Sequence, residues 1–375
     1  MKIVIIGTVA SSILGFRGPI IQKLLSDGHQ VFAFAIDYTS DQKKQLTDWG
    51  GVPVDYQLSR SGLNPFADLK MMFALKKQLM SIQPDIVFSY FVKPVIYGTL
   101  AAKWARVPKR IAMLEGLGFA FTEQPEGKAF KTKLIQQIQL LLYRIAFPAS
   151  TDLVFLNPDD RDELLVKHRL KANDVAVLGG IGLSLEDYPY QKPMLDKVRF
   201  LFIGRLLKEK GIFDFLAAAD LVKQTYLDAE FVVLGSTDTT SPNALSDAQL
   251  QGYIKRDVIV YPGQVSNVAE WIAASSVFVL PSYREGVPRS SQEAMAIGRP
   301  ILTTDVPGCR ETVVEGDNGF FVPAFDVDAL AKKMIWFIEN PDQIEPMGLA
   351  SRKMAEEKFD VHKVNARMLE IMGLG

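Results

Sequence analysis

Two segments of the 375-residue sequence gather charges that suit a diphosphate and carboxylates that suit sugar hydroxyls. In the first, Gly204-Arg205-Leu206-Leu207-Lys208-Glu209-Lys210-Gly211 follows the apolar run Val198 to Ile203 and leads into a helical pattern. A strand that ends in a glycine turn and opens a helix makes an anion site, because free N–H groups and the helix dipole both face the ligand. Arg205 can fork two phosphate oxygens, and Lys210 supplies a point charge at a leaving phosphate. Taken alone, a basic residue in a solvated loop and a lysine in a first helical turn account equally well for the two cations.

The second segment, Pro281-Ser282-Tyr283-Arg284-Glu285-Gly286-Val287-Pro288-Arg289-Ser290-Ser291-Gln292-Glu293-Ala294, follows the apolar run Val277 to Leu280. It is another strand-to-helix junction. Ligands of open parallel sheets bind beyond the carboxyl ends of the strands, so both segments are expected to face one crevice. Glu285, on the loop, can receive the hydroxyls of a sugar, and Glu293, in the helix, can accept both hydroxyls of a ribose. Glu293 also closes a possible capping box, Ser290 to Glu293, in which its carboxylate would bond back to the N-cap amide. Glu285 has no comparable local role.

Elements to hold these residues alternate along the whole chain, in the pattern of parallel strands joined by crossover helices. Lys2 to Ile6, Gln30 to Ala35, Asp85 to Phe88, Arg110 to Leu114 and Asp152 to Leu156 read as strands of a first doubly wound domain. Helical patterns between them cover Pro19 to Ser26, Pro65 to Ser81, Val95 to Ala105 and Lys131 to Phe147. The pattern restarts at Val175 to Leu178, with further strands at Val198 to Ile203, Glu230 to Leu234, Val258 to Tyr261, Ser276 to Leu280 and Pro300 to Thr303. The expected fold is α/β, with two Rossmann-like domains facing a central cleft. Residues 1–172 form the first and residues 173–357 the second, with a terminal helix at about 358–375 packing back on the first.

Composition is globular, with 48% hydrophobic residues, 23% charged residues and a net charge of -1, so nothing draws the chain to nucleic acid. Cys309 is the only cysteine, which excludes an intramolecular disulfide and a cysteine metal cluster and fits a reducing cytoplasm. Met1 to Gly7 reads as a buried strand and not as a signal peptide. No stretch approaches the ~20 apolar residues that cross a bilayer, so any membrane contact is expected to be peripheral.

Taken together, Gly-Arg-(four residues)-Lys-Gly at Gly204 to Gly211, Pro-Ser-(two residues)-Glu-Gly at Pro281 to Gly286, and the Glu285 to Glu293 spacing resemble family 4 of the retaining glycosyltransferases, which have the GT-B fold. Gly308 to Glu311 and Glu315 to Gly319 look like that family's later loops, so the resemblance covers nearly the whole chain. It implies that Arg205 and Lys210 neutralise the diphosphate of a UDP-sugar, that Glu285 contacts the donor sugar, and that Glu293 contacts the ribose. Catalysis would then rest on Glu115, Arg205, Lys210 and Glu285, and donor binding would extend to Phe16, Arg17, Gly204, Val265, Gly286, Val287, Pro288 and Arg289.

In the first domain, Phe16 to Ile21, Ser59 to Phe66, Ala101 to Ala105 and Leu114 to Gly118 look like the N-acetylgalactosaminyltransferase subgroup of bacterial N-glycosylation. That likeness implies transfer of an N-acetylhexosamine to an undecaprenyl-diphosphate-linked saccharide at the cytoplasmic face of the inner membrane. Arg60, Asn64, Gly116 and Gly118 would contact the acceptor. Many family members carry a glycine pair in the first loop and a histidine after the fourth strand. Here the loop is Ser11 to Arg17, and Glu115 stands near the histidine's place. Glu115 has two readings: contact with the attacking hydroxyl or donor sugar, or a brace that accepts backbone hydrogen bonds from the glycine loop after it.

No metal and no other cofactor is expected. Asp326-Val327-Asp328 matches the Asp-X-Asp metal motif of transferases with the other common fold, but it precedes a helical run where aspartate is a favoured N-cap. None of His29, His168 and His362 has a neighbour at ligand spacing. Lys128, Lys131 and Lys133 precede the apolar Leu134 to Tyr143 segment, and Lys70 to Lys77 encloses Met71, Met72 and Phe73, a pattern that suits a bilayer surface. Leu134, Ile138, Leu141 and Ile145 equally suit a stripe facing the core. Two other classes compete. UDP-N-acetylglucosamine 2-epimerases share the implied fold, and nicotinamide dehydrogenases share the Gly7 turn. Gly-X-Gly-X-X-Gly is absent there, however, and Asp37, the nearest acid after the second strand, is out of frame.

Overall fold

Buried aliphatic strands separated by helices assemble into two parallel sheets. In the computed structural model, which describes residues 1–58, 65–238, 241 and 243–375, the first sheet holds β1 (Lys2–Ile6), β2 (Gln30–Ala35), β3 (Val52–Asp55), β4 (Ile86–Tyr90), β5 (Lys109–Leu114), β6 (Asp152–Phe155) and β7 (Asp174–Val177). Its order is β3-β2-β1-β4-β5-β6-β7. The second sheet holds β8 (Arg199–Ile203), β9 (Glu230–Leu234), β10 (Val260–Gly263), β11 (Val277–Leu280), β12 (Ile301–Thr304) and β13 (Gly319–Val322), ordered β10-β9-β8-β11-β12-β13.

Central strands are apolar throughout because helices cover both faces of the sheet. Ile3, Val4, Ile5 and Ile6 of β1 are fully buried, with Ile3 opposite Val31 on one side and Ile86 on the other. Each such side chain contributes about 1.5–3 kcal/mol by leaving water. Chain order reverses between β1 and β4, and again between β8 and β11. At those points the loops leave the sheet toward opposite faces and open a crevice at the carboxyl edge.

Periodicity places a strand without saying which sheet accepts it, and one strand changes sides. Val175 to Leu178, expected to open the second domain, belongs to β7, which pairs in parallel with β6 at the edge of the first sheet. The boundary therefore moves from about residue 172 to Ile181 and Gly182. The first unit comprises Met1–Ala120, Ala129–Ile181 and Val364–Gly375, and the second comprises Phe121–Lys128 and Gly182–Lys363. Strands β3 and β13, two edge strands of four residues, are not among the strands read from the sequence. Pro53, which lacks an N–H, is tolerated at such an edge.

The loop expected at Ser11 to Arg17 is a helix, Ala10–Phe16. Asp37 Oδ1 accepts the Ala10 amide at 2.7 Å, so this acid serves the first turn of that helix. In the second unit, Arg299 is fully buried and donates to the carbonyls of Gln191, Ile272, Ala273 and Gly298 at 2.8 to 3.0 Å. Burial lowers its pKa to about 10. Asp326 caps the Val327–Glu339 helix through the Ala329 amide at 2.8 Å. Among the described residues no helix is long and apolar enough to cross a membrane.

Candidate active site

Both charged segments emerge at the switch point of the second sheet, one from β8 and the other from β11. After β8 the chain makes a single 3-10 turn, Lys208–Lys210, and reaches Gly211 in the left-handed region (φ 73°) before the helix Ile212–Lys223 begins. Lys210 therefore precedes the helix instead of lying in its first turn. A side chain at Gly211 would place its Cβ 2.0 Å from the Pro281 carbonyl oxygen, so only glycine allows the two loops to meet backbone to backbone. The Tyr283 amide seals that meeting by donating to the Glu209 carbonyl at 2.9 Å.

This contact brings Lys210 Nζ to 2.5 Å from Glu285 Oε1. Ser282 Oγ lies 2.7 Å from the same carboxylate oxygen and 3.0 Å from the Glu209 carbonyl, and its one proton serves either. The Glu285 amide donates to the Pro307 carbonyl at 3.0 Å. Gly308, at φ 79°, keeps that approach open, since a Cβ there would lie 2.3 Å from the Glu285 carbonyl oxygen. Arg205 stands apart. Its side chain is 61% exposed, with the guanidinium 4.0 Å from Asp238, so it is available to a ligand at little desolvation cost. Lys208, in the same turn, pairs with Glu126 at 3.1 Å.

The carboxylate of Glu293 serves no capping box. Its helix, Arg289–Ile297, begins earlier than the Ser-Ser pair suggests, with Pro288 at the N-cap and no side-chain cap. Glu293 Oε1 instead receives Tyr188 Oη at 3.0 Å and Arg289 Nε at 3.1 Å. Burial raises its pKa, against the opposing pull of Arg289 and the Tyr188 hydroxyl. Arg289 also donates to the Gly182 carbonyl at 3.1 Å, and Arg352 holds the Tyr188 carbonyl at 2.8 Å.

At the switch point of the first sheet, Arg17 is the residue between two consecutive helices, Ala10–Phe16 and Gly18–Ser26. Its guanidinium lies over the Tyr90 ring, 4.6 Å from the centroid, and pairs with the Glu115 carboxylate, both side chains being almost fully buried. Tyr90 Oη lies 2.9 Å from Ser12 Oγ, and burial pushes its pKa up to about 12.

The family model "Glycosyl transferase 4-like" matches residues 2–157, and "Glycosyl transferases group 1" matches residues 190–354. The N,N'-diacetylbacillosaminyl-diphospho-undecaprenol alpha-1,3-N-acetylgalactosaminyltransferase of Campylobacter jejuni is 31% identical over 353 residues, covering 91% of this chain and 90% of that one. The chain is a GT-B glycosyltransferase, related to those of family 4. The UDP-Gal:alpha-D-GlcNAc-diphosphoundecaprenol alpha-1,3-galactosyltransferase of Escherichia coli is 26% identical, covering 72% of this chain and 70% of its own. Sucrose-phosphate synthase from Thermosynechococcus elongatus shares the fold with a TM-score of 0.77 at 17% identity, over 99% of this chain and 98% of the other.

Within the second unit of this glycosyltransferase, Gly204, Arg205, Lys210, Glu285, Gly286, Val287 and Pro288 come from the two loops after β8 and β11, Arg289 and Glu293 from the helix that follows β11, and Val265 lies in the loop after β10. In the first unit Phe16 ends the helix that follows β1, Arg17 joins it to the next helix, and Glu115, Gly116 and Gly118 come from the loop after β5. Glu115 meets Arg17, a partner that neither of its sequence readings named. Arg60 and Asn64 lie outside the described residues. Sequence reasoning missed Tyr188 and Ser282. Nothing local marks Tyr188, 105 residues before Glu293, whereas the Ser282 to Glu285 spacing in a tight loop was a usable signal.

Proposed function

We propose that this glycosyltransferase moves an N-acetylhexosamine from a UDP-sugar to an undecaprenyl-diphosphate-linked saccharide with retention at the anomeric carbon. The observation that carries the donor half is the meeting of Lys210 and Glu285 at the β8 and β11 switch point. The incoming diphosphate replaces Glu285 as the partner of Lys210, and the released carboxylate takes hydroxyls of the donor sugar. Arg205 closes on the diphosphate from solvent, and Glu293 receives the ribose. As the bond from C1 to the diphosphate breaks, the acceptor hydroxyl attacks C1 from the same face and its proton passes to the departing phosphate. The two cations stabilise the growing charge. The buried Arg17 and Glu115 pair forms the acceptor-side polar centre, with Gly116 and Gly118 letting the acceptor approach the backbone.

The lipid half is supported by the relatives, since both bacterial transferases named above are described as acting on diphospho-undecaprenol-linked sugars. A surface of the first unit suits the cytoplasmic face of the inner membrane. The helices Pro65–Ile82 and Phe130–Ala146 both pack on the segment between Pro94 and Trp104 and so form one layer. Of the Leu134, Ile138, Leu141 and Ile145 stripe, Leu134, Leu141 and Ile145 are 51%, 55% and 55% exposed and Ile138 is half-buried, while Leu140, Tyr143 and Ala146 are buried, so the stripe as a whole does not face the core. Phe66, Phe73, Trp104 and Phe130 are exposed as well. Over these three stretches the basic residues are Lys70, Lys76, Lys77, Lys103, Lys131, Lys133 and Arg144, while the one acid, Asp68, is buried. Cationic, apolar and free of exposed acid, the layer matches an anionic bilayer.

The test is a thermal-shift screen against UDP-sugars followed by incubation of the best ligand with an undecaprenyl-diphosphate-linked sugar. The expected result is a lengthened lipid-linked glycan. Epimerised UDP-sugar in the absence of lipid, or no transfer to any lipid-linked acceptor, overturns the assignment.

A further inference from the structure

The first unit contains a cavity of about 820 Å³ at the carboxyl ends of β2 and β3, within the ~300–1,000 Å³ range of small-molecule sites. Ile36, just after β2, and Tyr56 and Leu58, just after β3, form one wall, and the helix Pro65–Ile82 forms the other with Met71 and Leu75. The floor is apolar, and Gln57 and Gln78 join the charged residues on the remainder of the lining. Met71, Leu75 and Tyr56 are buried members of one core cluster, and the Tyr56 hydroxyl is spent on the Gly7 carbonyl.

Charge at the cavity is one-sided once the ion pairs are counted. Asp68 is held by Lys93 at 3.0 Å and by the Tyr97 hydroxyl at 3.2 Å, and Asp55 is held by Lys43 at 2.5 Å. Lys70 and Lys77, two turns apart on the lining helix and both exposed, form no ion pair among the described residues. A pocket with an apolar floor and two available ammonium groups at its rim fits an amphiphile that carries a hydrocarbon chain and an anionic head. A sugar nucleotide, with no hydrocarbon, leaves the floor unused.

We propose that this cavity receives the isoprenoid units nearest the diphosphate of the lipid-linked acceptor, with Lys70 and Lys77 facing the diphosphate. The assignment rests on the acceptor class proposed above. It adds a subsite on the lining helix, whose exposed Phe66 and Phe73 belong to the proposed bilayer face. The lipid then leaves the membrane along the helix that touches it.

Farnesyl diphosphate, inorganic diphosphate and farnesol serve as probes by calorimetry with the full chain. Farnesyl diphosphate is expected to bind at least tenfold more tightly than either fragment. Ala74→Trp, which fills the mouth from an exposed lining position, and Lys70→Glu/Lys77→Glu, which reverses the rim, should each weaken it tenfold or more and raise KM for the lipid-linked acceptor. Stabilisation by UDP should be unchanged in both, which checks that they are folded. Wild-type enzyme that transfers sugar while both variants keep the acceptor KM within twofold overturns the pocket assignment alone. Binding of farnesyl diphosphate without transfer to any lipid-linked acceptor overturns the acceptor class and leaves the pocket standing.

Discussion

Lys210 Nζ sits 2.5 Å from Glu285 Oε1, so the cation expected at the phosphate and the carboxylate expected at the sugar hold each other. Each keeps the other in place at the crevice, and a diphosphate must displace one to use both. Lys210→Ala removes the cation that faces the leaving phosphate and is expected to lower kcat by about 10²–10³, equivalent to ~3–4 kcal/mol. Glu285→Gln should lower it too, and the double variant should lose less than the product of the two, since the residues act as a pair. Single-turnover rates at saturating donor check this, and near-normal turnover of Lys210→Ala overturns the assignment.

Tyr188 and Arg289 both donate to Glu293, whose carboxyl burial pushes upward. Donor binding that needs an ionised Glu293 weakens as pH falls through the raised value. Tyr188→Phe removes a hydrogen bond that favours the charged form, so the acid limb of the donor pH profile should move to higher pH while kcat at high pH changes little. The sign for stability is opposite. A folded-state pKa above the unfolded one gives stability that is full at low pH and lost as pH rises through the raised value. Glu293→Gln should therefore keep or raise Tm at neutral pH while raising donor KM about tenfold or more. Parallel melting and KM curves between acid and neutral pH decide the matter.

Arg299 supplies donors to four buried or half-buried carbonyls of the second unit. Arg299→Leu strands those acceptors and should destabilise this unit by about 3–5 kcal/mol. Lysine cannot reproduce the planar fork and should rescue only part of the loss. Urea unfolding followed by a probe in the second unit measures the effect, and a change under 1 kcal/mol would contradict it.

Leu134 and Leu141 lie exposed on the proposed bilayer face. Leu134→Glu/Leu141→Glu should lower partitioning onto anionic vesicles by about 10–100-fold, through lost apolar burial and repulsion from the lipid headgroups. Tm and UDP binding should hold, because neither residue packs in the core. Vesicle flotation at low and high salt reads the result, and undiminished flotation of the variant removes this surface from membrane binding.

The residues that identify the enzyme were legible in the chain. Strand runs from Val198 to Leu280, the Arg205 to Gly211 turn and the Glu285 to Glu293 spacing sufficed for an α/β fold with a candidate diphosphate and sugar site, because local periodicity and loop chemistry are written in neighbouring residues, and the resemblance of those motifs to a glycosyltransferase family supplied the reaction class. Long-range partners are not. That β7 joins the first sheet, that Glu115 meets Arg17 and that Glu293 answers to Tyr188 depend on which surfaces the folded chain brings together. The orientation of the Leu134, Leu141 and Ile145 stripe was undecidable for the same reason. An amphipathic helix has an apolar stripe wherever it lies, and only the folded chain, which buries Leu140 and Tyr143 on this helix, left that stripe to solvent.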